Sequence, residues 1–198
     1  MTIEGSTPYP WPYDGALVPS RAALLVCGAG NEWSRLCPFD EVTEANITKL
    51  RRAAVAAGVV VLLIDNFDPR ERPRVSPPPT PLLPLRALRH EHLVHASGID
   101  GFYGSRLDAV LQRTERDQLL LVGRGFETSV HSTLRSANDR GYECLTIADA
   151  CVVIDPDCRA AAISTIEMSG GIFGAVGTTT AVLSALCSDA PNDFEVLK

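Results

Sequence analysis

Ser129 carries a hydroxyl in a turn just beyond an apolar run, between two titratable neighbours, Glu127 and His131. A serine hydroxyl gains little from a helix dipole and needs an adjacent general base. On a helix, side chains at i and i+2 do not face each other, so His131 is a poor base for Ser129. Glu127, on a turn, could approach it, as could His95 or Glu32 from elsewhere in the chain, which gives a candidate Ser129–His95–Glu127 constellation. Without a base, Ser129 serves as a helix cap and Glu127 as a carboxylate that favours a helix start. His90, His92 and His95 invite a metal reading, but no carboxylate or cysteine joins them at ligand spacing. The alternative is a short strand near Leu93–Val94 carrying exposed imidazoles. Cysteines 27, 37, 144, 151, 158 and 187 form no C-x-x-C pair and read as reduced thiols. Cys27 is either a buried core thiol or a replacement nucleophile.

These side chains need a scaffold, and Leu119–Gly141 (LLLVGRGFETSVHSTLRSANDRG) supplies its centre. Leu119–Val122 is a continuous apolar run, as expected of a parallel strand covered on both faces. Gly123 and Gly125 permit a sharp turn, Thr128 or Ser129 can cap the following helix, and Gly141 can stop it. Ligands bind just beyond such strand ends in open α/β sheets, and the helix start favours an anion. Ala22–Cys27 and Val59–Asp65 read as further buried strands, and Tyr142–Ala150 as another. Helices are predicted over Asn46–Gly58, Ser105–Gln112, Cys158–Met168 and the end of Gly170–Leu186, which also holds a short strand. The β-α alternation predicts an α/β fold in three αβα layers, with about six parallel strands and helices on both faces. Residues 1–20, with Pro8, Pro10 and Pro12 between aromatic residues, predict an extended arm. It packs on its own domain or reaches a neighbouring subunit. Residues 21–198 form a single domain interrupted by a Pro- and Arg-rich loop over 69–88. Arg70, Arg72 and Arg74 in that loop are solvated charges or contacts to an anion or partner.

The 198 residues are 45% hydrophobic and 21% charged, with net charge -6. That composition suits one globular domain. No Lys/Arg-dense run favours nucleic acid. No apolar run of about 18 residues favours a membrane span, and no leader pattern opens the chain. The expectation is a cytoplasmic protein.

Gly123–Val130 resembles the nucleophile turn of the isochorismatase-like cysteine hydrolases, G-x-x-T-D-x-C-V, with Ser129 at the position of the family Cys. The first strand resembles LLVIDMQNDF but reads LLVCGAGNEW: Asn31 and Trp33 keep the pattern, and Gly28 stands at the Asp position. GIDGFYGSRLDAVLQ resembles K-x-x-x-S-A-F-x-G-T-x-L-D, and counting back from Phe102 places Ala96 at the Lys position. YPWPYDG and GGIFGAVGTTTAVLSAL resemble the biuret and ureidoacrylate amidohydrolase branch.

The resemblance implies a strand order of 3-2-1-4-5-6 and a homodimer or homotetramer. It implies a catalytic triad replaced by Gly28, Ala96 and Ser129, and losing groups that act as a unit removes nearly all acceleration. Where zinc-binding members carry D-x-H, this chain has Asp65, Asn66 and Phe67, so no metal or other cofactor is expected. It further implies a non-proline cis bond at Arg124–Gly125. The expected pocket is lined by Asn31, Trp33, His95, Phe102, Tyr103, Arg124, Gly125, Phe126 and Glu127. Three readings follow: a degenerate protein that binds a small molecule or supports an active paralogue in a mixed oligomer; an amidohydrolase or other enzyme using different residues around Ser129; or an oligomer-forming protein whose pocket is plugged by its own Phe126.

Overall fold

Continuous apolar runs become the centre of a sheet. In the computed structural model every residue of β1 (Ala22–Cys27) and of β4 (Gln118–Arg124) is buried. The structure describes residues 2–66 and 91–188, without the side chains of Asn31, Glu32 and Ser188. Phe67, the Pro-rich loop over 69–88 with its arginines, and His90 lie outside the described residues. Four further strands, β2 (Val60–Asn66), β3 (Glu91–Ala96), β5 (Glu143–Val152) and β6 (Ala175–Gly177), complete a parallel sheet in the order β3-β2-β1-β4-β5-β6.

Side-chain alternation along the strands divides the core into two layers. Leu24, Val26, Leu63 and Leu120 pack on α2 (Glu41–Ala56) and α6 (Thr179–Ser188) through Ile47, Leu50, Val182 and Leu186. Leu25, Cys27, Ile64 and Leu121 face α3 (Leu107–Arg113), α4 (His131–Asp139) and α5 (Cys158–Glu167), through Leu111, Leu134 and Ile166. The remaining helix, α1 (Asn31–Leu36), follows β1 directly.

The element ends move for local chemical reasons. α2 begins well before Asn46, because Asp40 accepts hydrogen bonds from the Thr43 N–H and hydroxyl. α3 begins at Leu107 rather than Ser105, because the Ser105 hydroxyl accepts the Leu107 N–H and donates to the Gly101 carbonyl. Gly141 ends α4 with a φ of 84°, as the sequence suggests.

The amino-terminal arm is not an extended path. Ile3 and Trp11 form an antiparallel bridge, Thr7 pairs with Val176 of β6, and Ile3 and Trp11 are buried in the α2/α6 layer. The Ser6 hydroxyl donates to the Ile3 carbonyl and accepts the Trp11 N–H, which folds the segment back on itself. His92 and His95 lie on β3 with exposed side chains, as the short-strand reading holds. Among the described residues no helix is long and apolar enough to cross a membrane.

Candidate functional site

The carboxyl ends of β1 and β4 are held together by glycine. Cys27 and Gly123 are register partners, and a Cβ at Gly123, whose φ is 130°, would collide with the Cys27 backbone carbonyl. Gly125 follows in the left-handed region at φ 69° and starts the turn. A Cβ there would stand 2.6 Å from the Trp33 indole and 2.5 Å from Thr128 Oγ1, so only glycine fits.

The turn itself differs from the expected simple cap. Phe126–Val130 forms one wide π-type turn, with the Val130 N–H donating to the Gly125 carbonyl, before α4 proper begins. Ser129 therefore sits inside the turn, and neither its hydroxyl nor that of Thr128 bonds the amide hydrogens of the first turn. The Arg124–Gly125 bond is trans, for cis bonds among the described residues occur only at Thr7–Pro8 and Trp11–Pro12. The positive φ of Gly125 makes the reversal that a cis bond was expected to make.

Ser129 is fully buried, and among the described residues its Oγ has no hydrogen-bond partner. Its carbonyl accepts the Thr133 hydroxyl at 2.8 Å. Around it the expected pocket is filled. Phe126 is fully buried in the α3/α4/α5 layer. Trp33 is buried, with Nε1 donating to the Asn66 carbonyl at 3.0 Å. Gly28 has φ 65°; its N–H donates to Asn66 Oδ1 and its carbonyl accepts Arg124 Nη1, both at 2.9 Å. Arg124 is itself buried, stacked over the Phe39 ring at 3.6 Å, with Nε lacking a partner. Burial lowers its pKa to about 10, so the guanidinium stays cationic near neutrality.

The other expected residues are dispersed. Ala96 and Phe102 are buried, and Phe102 stacks on Tyr142 at 5.8 Å. Tyr103 points outward, 65% exposed. Glu127 turns away: its Oε1 accepts the Ile154 and Asp155 amides at 2.7 and 3.0 Å. His95 has a 48% exposed side chain, with Nδ1 3.0 Å from Asp65 Oδ2. The Ser129–His95–Glu127 constellation is thus not assembled, because each prospective base is engaged elsewhere and Ser129 is enclosed. His131 meets Arg135 Nε, and burial, then the Arg135 charge, holds it below its usual range. Cys27 is a core thiol: burial raises its pKa to about 12, which keeps it protonated and unfit as a nucleophile.

Three features were missed from sequence. Asn66 clamps Gly28 on one side and, through Nδ2, the Ile99 carbonyl on the other. Its signal was a polar residue ending the apolar run of β2. Arg124 reaches back to Gly28, which a cation ending a buried strand could have suggested. Asp65 pairs with His95 because they are register partners, and Asp65 Oδ1 lies where a Cβ on Gly30 would be. Among the described residues no three His, Cys, Asp or Glu side chains gather at metal-ligand spacing. Two clefts lie beside this region, about 320 Å³ between α4 and α5 and about 620 Å³ between β3 and α3. Neither is lined by Ser129, Gly28, Trp33 or Phe126.

The parallel sheet in the order β3-β2-β1-β4-β5-β6, covered by helices on both faces, defines a three-layer αβα class. The isochorismatase domain matches residues 22–181, and the chain belongs to that family. A cysteine hydrolase from Pseudomonas syringae pv. phaseolicola shares the fold at TM-score 0.73 and 21% identity, over 88% of this chain and 96% of that one. An isochorismatase family protein from Burkholderia thailandensis aligns at TM-score 0.69 and 23% identity, covering 86% and 97%. The nicotinamidase of Staphylococcus aureus aligns at TM-score 0.63 and 15% identity, covering 80% and 99%.

Proposed function

We propose that this protein is a catalytically silent member of the isochorismatase family, acting as a folded partner to an active relative rather than turning over substrate itself. One observation carries the reading: the Ser129 hydroxyl, at the position that matches the family nucleophile by resemblance, is sealed from solvent and has no hydrogen-bond partner among the described residues. A hydroxyl without a base is a weak nucleophile, and a sealed one meets no substrate. The missing triad supports the same conclusion, since Gly28 and Ala96 offer no titratable group. The filled pocket favours support of a partner over capture of a small molecule. YPWPYDG and the carboxyl-terminal GTTT run place the relative in the biuret and ureidoacrylate amidohydrolase branch by resemblance. We take the protein to be cytoplasmic, and to assemble as a homodimer or homotetramer or with that relative.

The experiment incubates pure protein with a panel of small amides, biuret and ureidoacrylate analogues included, beside the Ser129→Ala variant. The reading expects no turnover in either, and a mixed oligomer when the protein is co-expressed with an active amidohydrolase of that branch. Turnover that disappears in Ser129→Ala overturns it and restores the hydrolase alternative.

A further inference from the structure

The larger cleft runs along the open edge of the sheet. β3 pairs with β2 on one side, and among the described residues no strand lies on its other side. Four consecutive residues, His92 to His95, line the cleft. Successive side chains of a strand point to opposite faces, so a cleft bordered by all four is bordered by the edge itself, with its main-chain groups. The facing wall is α3, where Val110 supplies apolar surface and Arg106 and Arg113 stand seven residues apart. Both arginines lack a side-chain hydrogen bond or ion pair within the described residues. Asp108, the acid of the same helix, is turned instead to the Tyr142 hydroxyl and Gln112. Among the described residues no carboxylate lines the cleft, in a chain whose net charge is -6.

We propose that this cleft is a docking site for an acidic peptide segment of a partner protein, bound in extended form as an added strand on β3. The proposal is independent of whether the chain catalyses anything. Strand addition draws affinity from main-chain hydrogen bonds and specificity from alternate side chains. Arg106 and Arg113 are about 10 Å apart along the helix. Acidic residues two to four positions apart in an extended chain, roughly 7 to 13 Å, come within reach of both. A second copy of β3 is a poorer occupant, since its only carboxylate, Glu91, is already paired with Arg51 and leaves nothing acidic for the two arginines.

The test uses fluorescence anisotropy with the full-length protein and a labelled peptide of about six residues alternating Glu with Val. Two control peptides replace Glu by Lys, or carry N-methyl groups on alternate amides. Saturable binding of the Glu peptide is expected, with loss of binding for both controls. The double variant Arg106→Glu/Arg113→Glu weakens the Glu peptide at least about tenfold while the protein still unfolds cooperatively, because neither side chain has a partner among the described residues. Absence of saturable binding overturns the proposal, as does equal binding of the Lys peptide or retained affinity in the double variant. Binding indifferent to N-methylation overturns it as well, because contact would then be electrostatic without strand addition.

Discussion

The ends of β1 and β4 and the ends of β2 and β3 lie on the same rim of one sheet, yet they are built in opposite ways. At the first, Gly28, Gly123 and Gly125 bring backbones too close for side chains, and buried Trp33 and Phe126 pack around them. At the second, Asp65 and a half-exposed His95 lie in hydrogen-bond contact. One region is closed by backbone contact and aromatic rings, the other leaves polar side chains at the surface, and the two depend on different residues.

The largest expected break in this contrast is Gly123→Ala. Its methyl would overlap the Cys27 carbonyl in a backbone conformation that L side chains rarely adopt, and we expect a loss of at least about 3 kcal/mol in urea unfolding. Phe126→Ala should cost about 3–5 kcal/mol through the cavity it leaves, and should open a path to Ser129 that a small apolar ligand can report by thermal shift. Gly28→Asp, which puts a carboxylate at the end of β1, should cost about 2–3 kcal/mol. Its Cβ would lie 2.8 Å from Arg124 Cβ at a positive φ. A Gly28→Asp protein as stable as the parent would show that the first rim region is not closed by its backbone. Thiol labelling sharpens the contrast further: exposed Cys187 should react with iodoacetamide in the native state, and Cys27, held protonated by burial, should not.

The smallest effect belongs to the open region. Burial raises the Asp65 carboxyl above its usual range, while the His95 hydrogen bond and charge oppose that rise. A raised carboxyl favours folding below its ordinary range and forfeits that contribution as pH climbs through the raised value. Asp65→Asn should therefore gain on the parent by a few tenths of a kcal/mol between about pH 4 and pH 7, read from paired melting curves.

The layers were legible in the sequence because they follow from periodicity. VVLLI and LLLV can only be central strands, and the stripe through Ile47, Leu50 and Ala54 can only face them. What was not legible is how the strand ends around Gly28 and Gly125 are packed. Trp33 folding onto Gly125 and Asn66 fastening Gly28 to the 98–101 segment are contacts between residues far apart in the chain, set by the positive φ of two glycines. Neither periodicity nor motif order specifies such angles. The cap at Ser129 was misplaced for a related reason: the wide turn starts three residues earlier than Ser/Thr preference indicates, because Gly125 sets it.

The bond from Arg124 to the Gly28 carbonyl has a further consequence. Any side chain installed at position 28 must rotate that peptide, which strips the guanidinium of this acceptor and frees the amide held by Asn66. A side chain at position 28 therefore disturbs two neighbours together, Asn66 and Arg124, rather than one.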